Sequence, residues 1–116
     1  MLALALIGGC SDSNTAAVEQ CADVVAVATS ADGDGSLTFS VTIRSDDIGW
    51  DGYADRWEVV ADEVVVGERV LTHPHETEQP FTRSQAGIVV SANEVVVRAH
   101  HSVGGFCGTE MAFVVD

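Results

Sequence analysis

Basic residues are scarce in this chain: Lys and Arg number 5 against 18 Asp and Glu in 116 residues, for a formal net charge of −13. A surface of that sign repels phosphate backbones and anionic headgroups, so nucleic acid is set aside as a partner. Leucine is also sparse, and no stretch carries a convincing helical period. The apolar content is instead mainly Val and Ala, which favours strands. No apolar run approaches the roughly 20 residues needed to cross a bilayer. No Ser/His/Asp or Cys/His arrangement has the spacing of a known catalytic motif, so enzymatic chemistry is not expected. Asp32-Gly33-Asp34-Gly35 is read as a turn. It lacks the Gly and Glu of a calcium loop, because the sixth and twelfth positions fall on Leu37 and Ile43.

What is present begins with an apolar run, Leu2 to Ile7, followed by Gly8-Gly9-Cys10. An aliphatic residue, small residues and then Cys form the pattern of a lipoprotein signal, with Cys10 as the lipid attachment point. The run is short for a signal and has no basic residue before it, so the natural start is expected to lie upstream. Residues 1–9 are thus read as signal segment, 10–20 as lipidated Cys and polar tether, and 21–116 as the folded domain. The expected location is the cell envelope, lipid-anchored. Ser11 after the Cys favours the outer membrane facing the periplasm in a Gram-negative host. The remaining cysteines, Cys21 and Cys107, are expected to pair in an oxidising compartment.

A length of 116 residues allows one domain, and an apolar fraction of 47% is enough to give it a core. Leu37, Phe39, Val41 and Ile43 alternate with Thr38, Ser40, Thr42 and Arg44, the clearest strand signature in the chain. Further strands are expected over Val24–Thr29, around Trp57–Val59, over Val64–Leu71, Ile88–Val90 and Val95–Ala99, and over Thr109–Val115. About seven short strands separated by turns imply an all-β, immunoglobulin-like antiparallel sandwich. If successive strands run antiparallel, the turns near Asp32, Asp62 and Asn93 share one end. The longer stretches Ser45–Asp55, Thr72–Gln85 and His100–Gly108 share the other, together with Cys21. Long, chemically rich loops are the usual place for function.

All four histidines fall in that rich end. Proline keeps His73-Pro74-His75 extended, so the two imidazoles share a face. His73, His75, Glu76 and His100 are therefore candidate ligands for Zn, Cu or Fe, although an absence of any cofactor is the leading expectation. The competing reading has these histidines bonded within their loops. Trp50 and Tyr53 could offer a stacking surface to a sugar or peptide, or else plug the end of the sandwich. Asp55, Arg56, Arg83 and His101 complete the candidate binding set, with Arg56 paired to Asp55 or Glu58. The function expected is that of an envelope-anchored binding module whose partner is an envelope protein or a small ligand; a transition-metal protein is the alternative.

Phe39-Ser40-Val41-Thr42-Ile43, the Gly49–Val59 segment, His73-Pro74-His75, Glu78–Ser84 and Val97-Arg98-Ala99-His100 together resemble a family of small uncharacterised exported bacterial proteins. The resemblance implies that these loops matter and brings no activity with it. The pattern often has His where this chain has Ser45, Gly52 and Gly104, a departure that weakens a multi-histidine centre. The chain also resembles, more distantly, the superoxide reductase (desulfoferrodoxin) domain. That domain is an immunoglobulin-like sandwich with iron held by histidines and one cysteine. Here the ligand cysteine falls near His101 and the following histidine is Gly104, so this likeness implies a fold and not superoxide reduction.

Overall fold

The computed structural model describes residues 20–115. The expected lipid attachment at Cys10, the signal segment and all of the tether before Gln20 lie outside the described residues. Seven strands form: β1 (Ala22–Ala31), β2 (Leu37–Ser45), β3 (Ala54–Ala61), β4 (Val64–Val70), β5 (Phe81–Ile88), β6 (Glu94–His101) and β7 (Met111–Val114). Two antiparallel sheets, ordered β1-β2-β5 and β4-β3-β6-β7, face each other as a sandwich.

The core follows from period-two patterning in three strands. Phe39, Val41 and Ile43 of β2, Trp57, Val59 and Ala61 of β3, and Val95, Val97 and Ala99 of β6 turn inward and are buried. Each larger member contributes about 1.5–3 kcal/mol on burial. The opposite face of β2 is wet, and its hydroxyls pair across to β5, Ser40 with Ser84 and Thr42 with Thr82, both at 2.7 Å. β3 and β4 are joined at Asp62 and Glu63, which both take positive φ (51° and 69°). Paired left-handed residues are what a two-residue hairpin needs to match the strand twist. The Asp32 turn is held by its own carboxylate, which accepts from Ser36 Oγ (2.9 Å), Thr38 Oγ1 (2.5 Å) and the Gly87 N–H (3.0 Å).

The sandwich is closed along both sides. The Arg69 guanidinium of β4 donates to the Ser84 carbonyl of β5. A Cβ added at Gly67 would lie 2.7 Å from the Ile88 side chain, so β4 needs glycine there to approach β5. On the other side, Val24 N–H donates to Thr109 O at 2.9 Å, and Thr109 N–H to Asp23 Oδ1 at 2.7 Å. The Cys21–Cys107 disulfide lies beside this seam, with Cα atoms 5.3 Å apart.

Three expectations need correction. The fifth strand is Phe81–Ile88, not Ile88–Val90, so the rich loop ends at Pro80. Only Phe81 and Ile88, at its ends, are buried, and the Thr82-Arg83-Ser84-Gln85 run between them reads as loop until its hydroxyls meet those of β2. Ser45 belongs to β2 and Asp55 to β3, not to the loop between them. His100 and His101 belong to β6, because pairing with Arg56 and Ala54 carries the strand that far.

Candidate functional site

The loop-rich end is organised around Asp47, whose carboxylate is enclosed at the base of the β2–β3 loop. Its Oδ1 accepts from Ser45 Oγ and from the Ala54 N–H (3.1 Å), and its Oδ2 accepts the His75 N–H at 2.8 Å. One carboxylate thus ties together the end of β2, the start of β3 and the β4–β5 loop. Gln79 makes a second clamp between the same segments. It accepts the Ser45 N–H at 2.9 Å and donates to His75 O at 2.9 Å. Neither residue stands out in the sequence: nothing local distinguishes Asp47 from Asp46.

The histidines divide between roles. His75 is buried and stacks on Phe81, centroids 3.9 Å apart and planes 11° from parallel. His73 packs against His75 at 4.5 Å, and its Nδ1 lies 3.0 Å from Pro74 O. Burial pushes the His75 imidazole below its ordinary pKa; the charges of Arg83 and His73 add to this, against the pull of Asp47 and Glu78. His101 is fully enclosed as the last inward-facing residue of β6, and its Nδ1 accepts the Val103 N–H at 3.1 Å. Burial lowers its pKa too, against the nearby carboxylates of Asp47 and Asp55. His100 points the other way, to the outer face of the four-stranded sheet, with Nδ1 2.6 Å from Asp55 Oδ1. The set His73, His75, Glu76 and His100 is therefore not brought together. Among the described residues no three His, Cys, Asp or Glu side chains lie where they could hold one metal ion.

The remaining candidates separate into a tip, an edge and a face. Trp50 and Tyr53 meet edge to face at the tip of the β2–β3 loop, 5.5 Å between centroids. Arg83, on β5, pairs with Glu78 at 3.1 Å and leans over Phe81. The face holds the densest chemistry. Glu58 projects outward from β3 directly opposite Arg98 of β6. It accepts from Arg56 Nε (2.9 Å) at one oxygen and from Arg98 Nε and Nη2 (3.0 and 2.8 Å) at the other. Burial raises the Glu58 pKa, but the hydrogen bonds and charges of Arg56 and Arg98 outweigh it, holding the carboxyl below its usual range. Asp55 extends the network to His100 and, at 4.0 Å, to Arg56.

Phe106, from the β6–β7 loop, roofs this network. Its ring lies 4.2 Å from the Arg98 guanidinium carbon, 5.3 Å from that of Arg56, and edge-on to His100 at 4.8 Å. Such stacking stabilises a guanidinium over an aromatic face by about 0.5–1 kcal/mol when exposed and more when desolvated. From Arg98 a groove of about 350 Å³ continues along β3 and β6, past Val60 and Val96, to the carboxylates of Asp62, Glu63, Glu94 and Glu110. The Arg56–Glu58 pairing is visible in the sequence as two residues on one side of a strand. The Glu58–Arg98 pair depends on the β3–β6 register, and a lone Phe in a glycine-rich loop was the sole sign of Phe106.

The chain is similar to a protein of Halomicrobium mukohataei named "Putative lipoprotein". The two are 43% identical over 100 residues, which are 82% of this chain and 47% of the relative. The chain thus spans about half the length of that relative. No family model matches the sequence, and no solved structure matches it.

Proposed function

We infer that this chain is the β-sandwich of an envelope-anchored lipoprotein, attached through Cys10, and that it acts as a binding module and not as an enzyme. The name of the relative and the Ile7-Gly8-Gly9-Cys10 pattern support the anchor. The strand order supports an immunoglobulin-type sandwich in which the fourth strand pairs with the third. The binding face is the outer surface of β3 and β6, and the observation that carries it is the Glu58–Arg56–Arg98 network under Phe106.

Two of the five basic residues converge there, on a surface that is otherwise strongly acidic. Guanidiniums fixed by Glu58 and packed against an aromatic ring are pre-organised to take a further carboxylate from a protein segment, and pre-organised Arg and aromatic side chains dominate binding energy at interfaces. The groove beyond Arg98, lined by Asp62, Glu63, Glu94 and Glu110, suits basic side chains elsewhere on the same segment. Buried His101 accepts the Val103 N–H and so holds the start of the loop that carries Phe106.

A photo-crosslinking residue at Val96, on this face, is to be compared in intact cells with one at Thr42, on the outer face of the other sheet. Adducts to a discrete envelope protein at position 96 that disappear in Phe106→Ala and are absent at position 42 support the reading. Equal labelling at both positions overturns it. For the anchor, Cys10→Ser releases the protein from membranes.

A further inference from the structure

Three large apolar side chains remain exposed at the loop-rich tip: Ile48 (61%) and Trp50 (67%) on the β2–β3 loop, and Val103 (58%) on the β6–β7 loop. The two loops are joined, since Ser102 N–H donates to Tyr53 O at 2.8 Å and Tyr53 N–H to Ser102 Oγ at 3.1 Å. The chain enters the domain between them. A Cβ at Gly52 would lie 3.1 Å from Gln20 Oε1, and one at Gly104 would run into the Gln20 carbonyl. The stretch from Ser102 to Thr109 carries no charged side chain, in a protein whose net charge is −13.

We propose that this tip, through Ile48, Trp50 and Val103, rests in the headgroup region of the bilayer that holds the lipid on Cys10. The proposal rests on the lipid-anchor reading. Ten residues from Cys10 to Gln20 reach at most about 35 Å, so the anchored domain cannot leave the membrane surface. Tethering of that length gives an effective concentration on the order of millimolar, at which a small apolar patch is enough to bind. Tryptophan and tyrosine suit the headgroup level because each ring has an apolar body and a polar edge. Asp46 and Asp51 are exposed on the same loop, so the matching surface is zwitterionic and not strongly anionic. Seated this way, the domain points its Asp62–Glu63 end into solvent and stands the β3–β6 face upright beside the membrane.

The test uses the full lipidated chain, with lipid on Cys10 verified by mass, in phosphatidylcholine vesicles with and without brominated acyl chains. Bromine quenches tryptophan on contact, and Trp57 is enclosed in the core while Trp50 is exposed. The expected result is a loss of emission in brominated vesicles that disappears in Trp50→Phe. Ile48→Asp and Val103→Asp should reduce that loss while the protein stays on the vesicles. Equal emission from lipidated, vesicle-bound protein with and without bromine overturns this inference and leaves the anchor standing. Protein with no lipid on Cys10 and no vesicle attachment overturns the anchor reading, and this inference falls with it.

Discussion

The buried carboxylate of Asp47 accepts the main-chain N–H of His75 at 2.8 Å, joining two loops that lie 28 residues apart in the chain. The same carboxylate satisfies Ala54 and Ser45. A carboxylate enclosed with three donors fixes loop positions more firmly than surface ion pairs do, because each donor would be left unsatisfied without it.

Asp47→Ala should therefore destabilise the domain by about 3 kcal/mol or more, since it strands two buried backbone N–H groups at about 1–3 kcal/mol each. Asp51→Ala, an exposed carboxylate on the same loop, should stay within about 0.5 kcal/mol. Urea melts of the two variants check the contrast. Equal effects would show that Asp47 is not the hub.

Acid should weaken the fold in two stages. His75 and His101 have lowered pKa values in the folded protein, so the unfolded chain takes up protons first as pH falls below about 6.5. Their contribution is complete above that pH and is lost as pH falls through the folded values. Asp32, Asp34, Glu58 and Glu78 are also lowered, Asp32 chiefly by the Thr38 hydroxyl. Their contribution is present above about pH 4–4.5 and disappears below it. A melting temperature measured against pH should show both declines. His75→Phe, which keeps the stack on Phe81, should reduce the upper one; an unchanged upper decline would acquit His75.

The Cys21–Cys107 bond spans 86 residues and closes the domain at the end that carries the site. Reduction, or Cys21→Ser with Cys107→Ser, should cost about 2–5 kcal/mol, the range for a native disulfide in a small exported domain. Calorimetry with and without reductant measures it. The same treatment should loosen the β6–β7 loop, which hydrogen exchange at Val103 and Gly105, both bonded to His101, would report.

A net charge of −13 puts the compact state under self-repulsion that salt relieves. Between roughly 0.01 M and 1 M NaCl the Debye length falls from about 30 Å to about 3 Å. The melting temperature should rise over this range. A fall would mean that the Glu58 and Asp55 pairs outweigh the general repulsion.

Much of the fold is determined by the sequence alone, because strands bury one face and their alternation is local. Leu37 to Ile43 shows this directly, and antiparallel parity then places Cys21 beside Cys107 and gathers the long loops at one end. β5 escaped the same logic. An edge strand with polar side chains between Phe81 and Ile88 has no period to display, and only the hydroxyl pairs with β2 reveal it. The site was less legible still. His73, His75 and His100 are close in kind, yet the tertiary structure sends His75 into the core and His100 to the outer face. For a polar residue in a loop or at a strand end, where no apolar alternation marks the inner face, residue order does not say which way the side chain will turn. Asp47 becomes a hub, and Glu58, Arg98 and Phe106 become one network, through contacts between segments far apart in the chain. Such contacts depend on how two sheets pack, and only the folded molecule decides that.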